Sequence, residues 1–256
     1  MAEHSISVLI PVFNGARFIA AALESVAGQT LATYETIVVD DGSTDGSGDV
    51  AARFPFVRVI RQENRGAGAA RNRAAAEARG DHFAFLDADD LWKPEKLARQ
   101  MAALAARPEA GWVICRQEYL LDESVPRPAW VPRAELAANY VSWVPSATVV
   151  RRKCFERAGN YDETLRFGED LEWLARARDA GFAGTMVDEV LFTRRVHRTN
   201  LMHEHKDGDL QRAIARIMFR RRNEDATGRS HGATSLGGGS APPPPERSQS
   251  RDGGVS

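Results

Sequence analysis

Acidic residues gather where apolar runs end. Asp40 and Asp41 close the run Thr36–Asp40 and lead into Gly42-Ser43-Thr44-Asp45. Asp87, Asp89 and Asp90 close the run His82–Leu86. Carboxylates crowded at one edge repel one another and need a counter-charge or a hydrogen-bonding role. Asp87 and Asp89 are two apart, so on an extended backbone they share a face. That pattern suits a hard divalent cation carried with phosphate oxygens. Helix N-capping is the competing role, for Asp90 ahead of Leu91-Trp92-Lys93-Pro94 and for Asp45 ahead of the next helical run. A cap needs one residue, so Asp45 reads as a cap and the Asp87/Asp89 pair as a metal site.

Three further groups carry chemistry. Arg71 stands early in a helical run behind Gly66 and Gly68, where a guanidinium can neutralise phosphate; Arg73 reads as solvated. Glu169 and Asp170 open another helical run, which the helix dipole favours. Trp173 lies one turn after Asp170, so a carboxylate and a flat ring share a face, an arrangement suited to a general base beside a hydroxyl acceptor. His197 follows an apolar run and reads as a metal ligand. His203 and His205 read as surface residues.

The elements that must position these groups follow from hydrophobic periodicity. Strands are expected at Ser7–Pro11, Thr36–Asp40, Val57–Arg61 and His82–Leu86. Helices are expected at Arg17–Ala27 (apolar face Phe18, Ala21, Ala22, Ser25), Asp45–Arg53, Gly66–Arg79 and Lys93–Ala106, the last with Pro94 in its first turn. This alternation predicts an α/β fold, a mostly parallel Rossmann-like sheet flanked by helices, with ligands at the carboxyl ends of the strands. The second half reads as strands at Trp112–Tyr119, Ala147–Arg151 and Leu191–Val196, and a Pro-rich connection over 124–139. Helices are expected at Glu169–Ala180 and Gly208–Arg222, the latter packed by Leu210, Ile214 and Ile217 with arginines opposite. One domain is expected over 1–225, divided into 5–106 and a compact acceptor-side half, 107–225. The Gly/Ser/Pro-rich stretch 226–256 cannot bury enough surface to order itself.

Composition narrows the classes. A chain of 256 residues with 43% hydrophobic residues can bury a core unaided. A net charge of −1 argues against a dedicated nucleic-acid binder. Two cysteines, Cys115 and Cys154, make neither a disulfide framework nor a zinc site. No run is apolar enough to span a bilayer, so a cytoplasmic protein is expected. The arginines of 212–222 leave a peripheral contact at the inner membrane face open.

Gly66-Ala67-Gly68, with Asp87 some twenty residues on, imitates a dinucleotide fingerprint. Four residues separate it from the preceding strand, and Arg71 occupies the third glycine position. Both features count against that reading.

Taken in order, the motifs resemble the family-2 glycosyltransferases, inverting nucleotide-sugar enzymes of the GT-A fold. The matching segments are Ser7–Asn14, Val38–Asp45, Asn64-Arg65-Gly66 with Ala70-Arg71-Asn72, Leu86–Asp90, and Tyr161-Asp162-Glu163 with Gly168-Glu169-Asp170. The resemblance implies that Pro11, Val12, Phe13 and Asp41 hold the nucleotide base. It implies that Asp87 contacts the ribose side, that Asp90 belongs to the same donor motif, and that Arg71 approaches the diphosphate. Asp89 would ligate Mn²⁺ or Mg²⁺, with His197 as a further ligand or phosphate contact. Asp170 would be the base, and Glu169 would orient the acceptor or tune Asp170. The implied partners are a nucleotide-sugar donor and a saccharide or lipid-linked saccharide acceptor in cell-surface polysaccharide synthesis. The competing classes are a nucleotide-binding protein of the same fold without transfer, a dinucleotide-dependent oxidoreductase and a nucleotidyltransferase. Oligomeric state is not readable.

Overall fold

The computed structural model describes residues 5–122, 140–141, 144–198 and 209–226. The Pro-rich connection, His203, His205 and the stretch after 226 lie outside the described residues.

Four parallel strands form the first half of the sheet: β1 (Ile6–Val12), β2 (Glu35–Asp40), β3 (Val57–Arg61) and β4 (His82–Phe85). They run in the order β3-β2-β1-β4, all in parallel register. β1 and β2 are buried on both faces, which is why they read as continuous apolar runs rather than alternating ones. Val8, Ile10 and Val38 pack with helices α1 (Ile19–Ala27) and α4 (Lys96–Ala105) and with Ala51 of α2 (Ser47–Ala51). Leu9, Ile37 and Val39 face α3 (Ala67–Glu77), α5 (Arg152–Ala158) and α6 (Glu169–Asp179).

Past β4 the same sheet continues with mixed direction. β8 (Val149–Arg151) is antiparallel to β4 and to β6 (Ala110–Leu121). β9 (Ala183–Val196) is parallel to β6, and the two-residue β5 (Leu91–Trp92) is antiparallel to β9. β7 (Tyr140–Val141) pairs with β6. The second half of the chain thus continues the sheet of the first.

Several sequence expectations are corrected. α4 starts at Lys96, so Pro94 precedes the helix, and the Lys93 N–H bonds the Leu191 carbonyl at 2.8 Å. Residues 91–92, expected to follow a helix cap, form strand β5 instead. The buried face of α1 is Ile19, Ala22, Leu23 and Val26, not the face through Ala21 and Ser25. β9 is more than twice the expected length. Its extension is half-exposed and lacks a clean period. The last helix, α7 (Asp209–Ala226), leaves Ile214 exposed rather than packed.

Candidate active site

The carboxyl ends of β1, β2 and β4 open into a cleft of about 530 Å³. It is lined from the first half of the chain by Pro11, Val12, Phe13, Asp41, Arg71, Asp87, Asp89 and Asp90, and from the second half by Glu169, Asp170 and His197. All the expected site residues except Trp173 therefore meet in one place.

Asp41 follows β2 and is 2% exposed. One carboxylate oxygen accepts from the Arg65 N–H at 2.9 Å and the Gln62 amide at 2.8 Å; the other accepts from the Gly66 N–H at 2.8 Å. Gly66 sits at φ +93°, a conformation that favours glycine. Its N–H is thus engaged by protein, and Gly68 packs towards Glu169 and Tyr161. The engagement of the Gly66 N–H by Asp41 counts, with the four residues after β3 and Arg71 at the third glycine position, against a dinucleotide cradle at this turn. Asp45 stands one residue before the cap position of α2, Gly46, and accepts the N–H of Ser47, the helix's first residue, as well as that of Ala16, tying the β1 loop to the β2 loop.

Asp87 to Asp90 form a turn closed by the Asp90 N–H on the Asp87 carbonyl at 3.1 Å. The extended backbone expected here is absent, and the side chains of Asp87 and Asp89 engage different partners. Asp87 pairs with Arg71 at 2.7 Å. Asp89 Oδ2 meets His197 Nε2 at 3.0 Å. The His197 ring is buried and stacked on Phe18, with 4.3 Å between centroids, which fixes its plane. Asp90 is buried, accepts the Arg195 N–H at 3.1 Å, and is a structural acid of the turn rather than a helix cap. Burial beside Asp89 and Asp87 raises its carboxyl well above the usual range. Ser146 holds the turn from beneath, its hydroxyl accepting the Asp87 N–H at 3.0 Å.

Arg71 is 4% exposed and spans both halves of the cleft. Besides Asp87 it binds Glu169 at 2.7 Å. Burial works against its charge, but the two carboxylates outweigh that cost, and its pKa is raised. Its charge is committed to these two carboxylates.

On the opposite wall Gly168, at φ +78°, turns the chain into α6. Glu169 is buried against Arg71. Asp170 is half-buried, faces the cleft, and takes the Leu171 N–H at 2.7 Å. Burial first, then repulsion from Glu169, pushes its carboxyl up to about 7. Trp173 requires correction. It is 1% exposed, lies 5.5 Å from the Phe155 ring centroid in a stacked pair, and donates its indole N–H to the Gly159 carbonyl. It belongs to the core under α6 and does not reach the cleft.

Sequence reasoning missed Arg194 and Arg166, which also line the cleft. Arg194 is brought there by the pairing of β5 with β9, a contact across a hundred residues that no local spacing signals. Arg166 lies in the loop before α6.

The donor set fits a divalent cation. Asp89 and His197 are two donors of the right chemistry, meeting at 3.0 Å and both facing the cleft. Such sites take one or two protein ligands and fill the rest with water and phosphate oxygens. The Asp89 carboxylate suits Mg²⁺ or Mn²⁺, whereas the His197 imidazole suits a transition metal rather than Mg²⁺. Among the described residues no cluster of three or more His, Cys, Asp or Glu side chains forms a complete metal cage.

A mostly parallel sheet extended by mixed strands, with an acid-lined cleft at its switch between halves, defines a protein of the GT-A type. Two solved structures share this fold. One is Staphylococcus aureus TarS 1-349 in complex with UDP-GlcNAc, at TM-score 0.69 and 20% identity over 83% of this chain and 65% of that one. The other is the Pyrobaculum calidifontis mannosyltransferase PcManGT in complex with GDP-Man and Mn²⁺, at TM-score 0.61 and 24% identity over 77% of this chain and 58% of that one. The family model for glycosyl transferase family 2 matches residues 7–162, and the chain belongs to that family. An uncharacterized glycosyltransferase of Bacillus subtilis, EpsJ, is 30% identical over 241 residues, 82% of this chain and 69% of EpsJ. Other curated relatives are matched over as little as 30% of their length.

Proposed function

We propose that the chain is a metal-dependent inverting glycosyltransferase. It would move a sugar from a nucleotide-diphosphate sugar to an acceptor hydroxyl of a saccharide or lipid-linked saccharide, in cell-surface polysaccharide synthesis. The observation that carries this reading is Asp170, a cleft-facing carboxyl raised to about 7, in the same cavity as the Asp89–His197 pair and Asp41. A base poised near neutral pH is what proton removal from a hydroxyl requires.

Pro11, Val12 and Phe13, with the turn organised by Asp41, form the wall for the nucleotide base. Asp89 would hold Mn²⁺ or Mg²⁺, with His197 a further ligand where the ion is Mn²⁺; the ion supplies charge stabilisation on the departing diphosphate. Arg194, also in the cleft, adds a positive charge on that side. Asp170 takes the proton as the acceptor oxygen attacks the anomeric carbon. The leaving diphosphate departs from the opposite face, so the configuration inverts. Glu169 stays ion-paired and acts on Asp170 through its charge.

The test is thermal melting with UDP, TDP, GDP and NAD(H), each with and without Mn²⁺, followed by a transfer assay with the stabilising nucleotide's sugars. A native-state ligand raises stability by mass action. A metal-requiring shift with a nucleoside diphosphate supports the reading. A shift with NAD(H) alone overturns it.

A further inference from the structure

One surface is not explained by the cleft. Helix α7 packs on α6 through Ala213, which is fully buried, and Ile217, which is partly buried. Ile214, Met218 and Phe219 are 42%, 56% and 68% exposed. Three of the eight large exposed hydrophobics among the described residues thus fall within six positions of one helix. A soluble helix rarely leaves such side chains bare unless something covers them. Arg212 and Arg216 are exposed beside them. The sequence continues Arg220-Arg221-Arg222, and no acidic residue occurs from Leu210 to Asn223.

We infer that α7 docks the protein on an anionic lipid surface. The occupant follows from the chemistry. Apolar side chains interleaved with arginine, with no acid among them, complement lipid tails and anionic headgroups together. A second copy of the same face would bring arginines against arginines. The stretch 227–256 has Leu236 and Val255 as its large aliphatic residues and no aromatic one, too little to cover the face.

The docked helix is joined to the acceptor side of the cleft. Arg216 is ion-paired with Asp162, in the loop that leads into α6 and Asp170. A membrane under α7 therefore lies beside the element that carries the base. This deepens the proposed function, and rests on it for one point: the acceptor is of the lipid-linked kind, delivered from the surface to which α7 binds.

The test is co-sedimentation of the full chain with vesicles of phosphatidylcholine alone, or with about one third phosphatidylglycerol. The expected result is at least tenfold tighter binding to the anionic vesicles. Binding should weaken in about 0.5 M NaCl, where screening shortens the reach of each charge to a few ångströms. The Ile214→Ser/Met218→Ser variant should lose at least fivefold in binding with an unchanged melting temperature. Arg212→Gln, which leaves the apolar side chains in place, should lose a smaller factor. Equal binding to both vesicle types overturns the inference, as does undiminished binding by both variants. A dimer in sedimentation velocity that the double variant abolishes also overturns it, and assigns the face to a second copy. Metal-dependent melting with nucleoside diphosphates, run on the same samples, separates the two readings. Its absence in the wild type defeats the glycosyltransferase reading and leaves lipid docking standing.

Discussion

The two sides of the cleft treat their acids differently. On the donor side Asp41, Asp87 and Asp89 are anchored, and Asp90, although it takes a backbone N–H, is raised by burial as Asp170 is. Asp41 accepts three hydrogen bonds, Asp87 holds Arg71 and Asp89 meets His197. On the acceptor side Glu169 is anchored to Arg71, whereas Asp170 accepts from its neighbour's backbone and faces open space. Acids that shape a binding wall gain from being fixed. An acid that must take a proton gains from being left unsatisfied, because burial without compensation lifts its affinity for that proton. Arg71 is the joint between the two, one guanidinium shared by a donor-side and an acceptor-side carboxylate.

The sharpest way to break this contrast is Asp170→Asn. It removes the proposed base and leaves the opposite wall intact. Turnover should fall about a thousandfold, or about 4 kcal/mol in the barrier. Nucleoside diphosphate binding, read by melting shift, should stay within a few-fold of wild type. Equal turnover by variant and wild type would show that the proton goes elsewhere.

Arg71→Met tests the joint. It strands Asp87 and Glu169 without their counter-charge in a largely buried setting. The expected cost is about 3 kcal/mol in urea denaturation. Arg71 also lowers the Asp170 carboxyl, so whatever activity remains should have its pH profile moved upwards. A stable variant with an unmoved profile would mean that Arg71 is a phosphate ligand and no joint at all.

The pH dependence of the wild type comes next. With Asp170 near 7, turnover should rise about tenfold per pH unit well below neutrality and level off above it, about fiftyfold between pH 5 and 7. Stability runs the other way. The native state favours the protonated carboxyl, so this group's contribution is complete below about 4, its unfolded value, and is lost as pH rises through 7. Asp170→Asn should flatten that loss, measured as melting temperature against pH relative to wild type.

Much of this arrangement was legible in the sequence for a physical reason. Strands buried on both faces announce themselves as apolar runs, and the acids at their ends stand at the ligand edge of any such sheet. Hence β1 to β4, Asp41 and Asp87 to Asp90 could be placed before any coordinates. What could not be read was which carboxylate answers which charge. Arg71 and Asp87 are sixteen residues apart, Asp89 and His197 a hundred and eight. Those pairings arise from topology: a mixed sheet folds β9 back against β5, and the first residue of α6, Glu169, meets Arg71 of α3. The Asp87 turn was misread for the same reason, since an isolated Asp-x-Asp says nothing of its own φ and ψ.

Trp173 shows the limit most plainly and supplies the smallest test. Helical spacing placed it on the face of Asp170, and in an α-helix that face is about one turn deep. At the first turn it meets the cleft; one turn later it meets the Phe155 and Tyr161 rings. A ring three residues from the base is therefore floor, not wall. Trp173→Phe should cost about 2 kcal/mol of stability, from lost packing and from the Gly159 carbonyl left without its indole donor. The Michaelis constant for the acceptor should be unchanged. The opposite pattern, a raised acceptor constant with unchanged stability, would return Trp173 to the cleft and require α6 to turn about its axis when substrate binds. The contrast between anchored and poised acids would survive that outcome, because it rests on Asp170 and Glu169 and not on the ring beneath them.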